Sequence, residues 1–213
     1  MSERPLVFDC GDSALVGVVN VPDQPQRLGV VIVVGGPQYR AGSHRQFVSL
    51  ARAVSAGGFA CLRFDYRGMG DSVAPQRGFE SVDDDIRAAI DAFLKAVPAL
   101  EGVVLWGLCD GASAALIYAP GDNRVHGIVA LNPWVRTEAS LAAARINHYY
   151  KGQALSLGFW RRVITGKVSI GRALVGLADA LKKRLEPRKG ATPAAALRAG
   201  SFIERMADGW RRM

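Results

Sequence analysis

Between Leu28 and Leu131 short apolar runs alternate with stretches of helical periodicity, and that alternation leaves the chain few folds to adopt. Leu28 to Val34 is a nearly uninterrupted β-branched run, as a central strand covered on both faces requires. Phe59 to Phe64 reads as the next strand, Val103 to Trp106 as another, and Val125 to Leu131 as a further one that Asn132-Pro133 ends. Between the first two, Phe47, Leu50, Ala51 and Val54 recur at helical spacing after Ser43, a good N-cap, until Gly57-Gly58 stops them. A second helix is expected from Val82 to Val97, capped by Ser81, with Ile86, Ile90, Phe93 and Leu94 on its apolar face and Asp83 to Asp85 near its positive end. Residues 5–9 and 14–21 form a hairpin ahead of this series. The pattern predicts an α/β fold with an open, mostly parallel sheet and right-handed crossovers, whose working site lies beyond the carboxyl ends of the strands.

Those ends carry unusual loops. Gly35-Gly36-Pro37-Gln38-Tyr39-Arg40 follows one strand, Asp65-Tyr66-Arg67-Gly68-Met69-Gly70-Asp71-Ser72 another, and Gly107-Leu108-Cys109-Asp110-Gly111 a third. The last has the Gly-x-nucleophile-x-Gly spacing of a nucleophile elbow, with cysteine where serine usually stands, between a strand and a small-residue helix from Ala112 to Ala119. A nucleophile on such a turn sits on strained backbone, and the flanking glycines let neighbouring chain approach. Cys109 is therefore either a nucleophile or a small buried hydrophobe.

In this order the motifs resemble the α/β-hydrolase superfamily, and the D-x-R-G-x-G-x-S turn ahead of the elbow is the most specific of them. More narrowly, the Gly35 to Arg40 loop with Ser43-His44-Arg45-Gln46-Phe47, the elbow, and Leu131-Asn132-Pro133-Trp134 look like the hydrolases associated with bacterial exosortase A systems. Those accompany exopolysaccharide production and the sorting of proteins to the cell surface. The resemblance covers roughly residues 5–135. It implies that Cys109 is the nucleophile, its thiolate favoured by the N-terminus of the following helix, with the backbone N–H of Asp110 as one oxyanion donor. The second donor belongs to the loop after the Leu28–Val34 strand; Pro37 has no N–H, which leaves Gly36 or Gln38. The superfamily places its acid and histidine after later strands, which this sequence lacks, so the last strands are expected to be missing. Of the three histidines, His126 opens a strand at the opposite end and His148 falls in the basic segment. His44, just after the oxyanion-type loop, is either a base within reach of Cys109 or a surface residue at a helix start. Asp65 and Arg67 read as turn-stabilising groups.

Charge divides the chain. Residues 1–135 carry a net −3 and residues 136–213 a net +11, which suggests a hydrolase core over 1–135 and a basic helical cap over 136–213. Leu174, Leu177, Leu181 and Leu185 mark one amphipathic helix there, and Pro193 to Arg212 suggests another. The basic face is either solvated or a site for an anionic lipid, glycan or membrane surface, and no nucleic-acid fold accompanies it. Cys10, Cys61 and Cys109 have no CxxC spacing, and no signal-peptide core or long apolar run is present, so a cytoplasmic protein is expected, peripheral to the inner membrane at most. No metal or organic cofactor is expected, because no ligand-spaced cluster or phosphate-binding fingerprint occurs. The functions left open are hydrolysis of a small ester or thioester, acyl transfer to another acceptor, and binding of an anionic partner by an incomplete enzyme. Tyr39, Trp106, Trp134 and Phe159 are either core aromatics or neighbours of an apolar acyl group.

Overall fold

A computed structural model describes residues 1–36, 38–135 and 201–213. Its sheet has six strands: β1 (Ser2–Cys10), β2 (Ser13–Val21), β3 (Leu28–Val33), β4 (Cys61–Asp65), β5 (Gly102–Leu108) and β6 (Val125–Leu131), in the order β1-β2-β4-β3-β5-β6. β1 and β2 form the hairpin, β2 meets β4 antiparallel, and β4, β3, β5 and β6 run parallel.

The connections decide where the helices lie. From β3 the chain steps one way to β4 through α1 (Gln46–Ala56), then back across β3 to β5 through α2 (Asp83–Ala96). Right-handed crossovers in opposite directions put α1 and α2 on opposite faces, and α3 (Asp110–Tyr118), between β5 and β6, joins α2. Val31, Ile32, Val33, Leu62, Phe64 and Leu105 are fully buried between these layers, with Phe47 of α1 and Ile86, Ile90 and Phe93 of α2. Two sides of β3 are covered, which is why its apolar run is uninterrupted.

The expected caps are absent. Ser43 to Arg45 form a short 3-10 turn, α1 starts after Arg45 in the left-handed region (φ 59°), and no side chain caps it. The Ser43 hydroxyl meets His44 Nδ1 at 3.0 Å instead. α2 begins after Val82 with no side-chain cap from Ser81; Asp83, Asp84 and Asp85 occupy its first turn.

The chain divides into two units, Met1–Trp134 with Gly200–Met213, and Val135–Ala199. The last helix, α4 (Phe202–Arg212), was expected in the basic segment 136–213 but belongs with the core. Met206 packs with Leu116 and Ile117 of α3, Phe202 stands edge-on to Phe79 at 5.3 Å, and Gly209 lets the helix reach Leu116. Ser201 and Glu204 close α4 with a reciprocal capping box. The expected helix around Leu174–Leu185, His148, Phe159 and residues 193–200 lie outside the described residues. Among the described residues no helix is long and apolar enough to cross a membrane.

Candidate active site

β5 is parallel to β3 on one side and β6 on the other, so its carboxyl end emerges between their two loops. There the chain turns sharply at Cys109, which takes φ 54° and ψ −124°, a conformation costly for any residue with a side chain. α3 starts at the next residue, so Cys109 stands at the N-terminus of a helix and is half-buried. Its backbone is locked on both sides: its N–H donates to Leu131 O at 3.0 Å, and its carbonyl accepts from Trp134 N at 3.2 Å. Ser113 Oγ ties the same two segments by donating to Trp134 O at 2.9 Å.

The glycines of the elbow and of the β3 loop are explained by a single close approach. A Cβ on Gly35 would lie 2.3 Å from Leu108 O and 2.6 Å from Gly111 N, and a Cβ on Gly111 would lie 2.3 Å from Val33 O. Backbone therefore packs directly on backbone, and the loop that carries Gly36 is pressed against the turn that carries Cys109. Asp110, whose N–H is the first expected oxyanion donor, sends its carboxylate toward that loop. Among the described residues its buried Oδ1 has no hydrogen-bond partner, and it would sit 2.4 Å from a Gly35 Cβ. Gly36 follows at φ 62°, and the Gln38 side chain accepts from Gln46 Nε2 at 3.1 Å. Gln38 and Tyr39 also border an open hollow of about 390 Å³ completed by Gly68, Met69, Gly70 and Gln76.

The structure thus brings Cys109, Asp110 and Gly36 together at one sheet end. His44 is placed differently: it is exposed, at φ 49°, and its Nδ1 meets the Ser43 hydroxyl; among the described residues no hydrogen bond joins it to Cys109. His126 lies beside Gly102, at the far end of the sheet. Trp106 packs edge-on against Phe47 at 5.7 Å, while Tyr39 and Trp134 are exposed.

Asp65 and Arg67 do not pair with each other. Arg67 donates from its backbone and guanidinium to Asp85 of α2, at 2.7–3.0 Å, both side chains being buried. Those bonds to Asp85 hold the Arg67 guanidinium above its ordinary range against the opposing effect of burial. Burial, with the charges of Asp110 and Asp85, pushes the neighbouring Tyr66 phenol up.

Asn132 was not singled out as a site residue by its sequence, yet it closes β6 at φ 47° with its Nδ2 3.7 Å from Cys109 Sγ. Asparagine tolerates the left-handed region, and a residue ending the strand next to the elbow is the signal that points to it. The two other cysteines are buried and free. Burial pushes the Cys61 thiol up to about 12 and raises that of Cys10. Among the described residues no group of three or more His, Cys, Asp or Glu gathers as a metal site.

Comparison with known proteins agrees with this fold. A family model described as the alpha/beta hydrolase family matches residues 30–213. The quorum-quenching protein AidA of Acinetobacter baumannii (strain MDR-ZJ06) is 33% identical over 94 residues, which is 42% of this chain and 31% of that protein. Among solved structures, the α/β hydrolase GrgF from a Penicillium species is 21% identical with a TM-score of 0.58, over 73% of this chain and 55% of that one. The Pyrococcus furiosus esterase PF2001 is 16% identical with a TM-score of 0.59, over 70% and 57%. The chain spans about a third of the curated relative and just over half of these two structures. The chain belongs to the alpha/beta hydrolase family.

Proposed function

We propose that the protein cleaves a small ester or thioester through a covalent thioester on Cys109. The observation that carries this reading is the strained Cys109 turn at the start of α3, pressed by Gly35 and Gly111 against the β3 loop. The Cys109 sulfur attacks the carbonyl carbon, an S–C bond forms, and the carbonyl π pair moves onto oxygen. The Asp110 N–H and that of Gly36 or Gln38 donate to this oxyanion. The oxyanion collapses, the C–O or C–S bond of the substrate breaks, and the leaving group departs with its electron pair and takes the proton that the Cys109 thiol gave up to the base. Water then adds to the thioester, releases the carboxylic acid and restores Cys109; an alcohol or amine in place of water gives acyl transfer. His44 is the base we assign, as the histidine of the described residues on this side of the sheet. The exosortase and exopolysaccharide association, and a cytoplasmic place peripheral to the inner membrane, rest on the motif resemblance and the basic segment.

Cys109→Ala should abolish turnover of p-nitrophenyl acetate, while His44→Gln should lower it. Undiminished turnover by purified Cys109→Ala protein would overturn the reading.

A second reading, a hydrolase-like binding module for an anionic lipid or glycan, is favoured by the exposed setting of His44 and its recorded bond to Ser43. Sedimentation with anionic vesicles at low salt, where charge effects are largest, separates the two. Binding with no turnover supports the module, and no binding rejects it.

A further inference from the structure

We propose that Arg40 is a positioning residue for the oxyanion-type loop, acting through the buried carboxylate of Asp65; the inference rests on the acyl-transfer reading above. The stretch from Gly35 to Arg40 is fixed at its two ends by different means. At Gly35 the backbone bears on Leu108 O and Gly111 N, leaving no room for a side chain. At Arg40 the backbone N–H donates to Asp65 Oδ1 at 2.6 Å, the guanidinium donates to Asp65 Oδ2, and a second guanidinium nitrogen meets Asp71 at 2.6 Å.

Asp65 is a firm anchor. It ends β4, is fully buried, and also accepts from the Asp71 N–H at 3.1 Å. Ser72 Oγ donates to its carbonyl at 2.6 Å and accepts from Val16 N of β2 at 3.0 Å, which ties the turn to the neighbouring strand. A buried carboxylate needs such donors, so Asp65 holds Arg40 as firmly as Arg40 satisfies Asp65. Between the two fixed ends lie Gly36 and Gln38, one of which supplies the second N–H to the oxyanion. An oxyanion donor acts only within hydrogen-bond distance of the charge that develops, so a loop released at Arg40 loses transition-state stabilisation before it loses substrate binding.

The test compares Arg40→Met, Arg40→Lys and, as a control, Arg52→Met, which removes a half-exposed ion pair with Glu3. Two quantities are read: acylation of Cys109 by p-nitrophenyl acetate, and deuterium exchange of the backbone amides from Gly36 to Arg40. Arg40→Met should lower kcat about ten- to a hundred-fold with KM within about two-fold, and should speed amide exchange in the loop. Arg40→Lys, which keeps a charge against Asp65, should recover most of the rate and serves where the Met variant fails to fold. Arg52→Met should change neither quantity. A wild-type kcat in Arg40→Met, a rise in KM at constant kcat, or unchanged exchange overturns the inference. If the wild-type protein is not acylated at Cys109, the acyl-transfer reading fails by itself, and amide exchange alone decides whether Arg40 pins the loop.

Discussion

At the carboxyl ends of the parallel strands, Cys109, Asn132, His44 and Arg45 all take positive φ, and a buried oxygen of Asp110 has no hydrogen-bond partner among the described residues. At the amino ends of β5 and β6 no described non-glycine residue does so, and the charged groups there are well matched. Asp122 accepts from Arg124 Nε at 2.9 Å and Nη2 at 2.7 Å and from the Tyr118 hydroxyl, and Arg124 also reaches Asp91. The positive-φ backbone therefore gathers at the carboxyl ends, while the amino ends of β5 and β6 hold matched charges on unstrained backbone. Strain persists only where the surroundings overdetermine it. Here those surroundings are the β6 end locked onto Cys109, the β3 loop packed on the elbow, and the β4 turn.

Removing the β4 turn's support should break the comparison most severely. Asp85→Ala leaves the Arg67 guanidinium buried without its carboxylate, and should cost about 3–5 kcal/mol of stability by urea denaturation. A loss below about 1 kcal/mol would mean that solvent reaches Arg67.

Gly35→Ala is expected to be smaller in stability but specific to the strained end. A methyl group there meets backbone that cannot yield, so the loop must lift from the elbow, at about 1–3 kcal/mol. Acylation of Cys109 should fall with it, and an active Gly35→Ala protein would separate the loop from the chemistry.

Asp122→Asn sharpens the contrast from the other side, with about 1–2 kcal/mol lost near neutral pH and acylation unchanged. The hydrogen bonds from Arg124 hold the Asp122 carboxyl well below its ordinary range. A carboxyl depressed in the folded state stabilises above its unfolded pKa, and that contribution is lost as pH falls through the folded value. The gap between wild type and Asp122→Asn should accordingly narrow as pH drops below about 4, in urea titrations at a series of pH values. A gap that widens on acidification would contradict the assignment.

Much of the sheet was legible because burial on two faces writes itself as apolar runs: Val125–Leu131 is the strand seen, and Leu28–Val34 overshoots it by one residue. The elbow was legible for a similar reason, since its glycines sit at fixed offsets imposed by close packing. The caps were not, because Ser43 and Ser81 carry cap chemistry while the backbone of the turns before the helices starts α1 two residues and α2 one residue later. Net charge also misplaced the last helix. Arg211 and Arg212 of α4 are exposed and Arg205 pairs with Asp83, whereas the attachment of the helix to α3 depends on Met206 and Gly209, which charge counting ignores. The contacts of Arg40 with Asp65 and of Asn132 with Cys109 were invisible because each crosses between strands adjacent in space, and neither spacing nor periodicity encodes that neighbourhood.

The most direct test of the central claim is the mass of the protein after reaction with p-nitrophenyl acetate, followed by peptide mapping and treatment with neutral hydroxylamine. One acetyl group is expected, on Cys109, removed by hydroxylamine as a thioester is, with Cys10 and Cys61 untouched because both are buried. Undiminished turnover by protein whose Cys109 has been blocked by alkylation, or an acetyl group distributed over surface lysines and resistant to hydroxylamine, would contradict it.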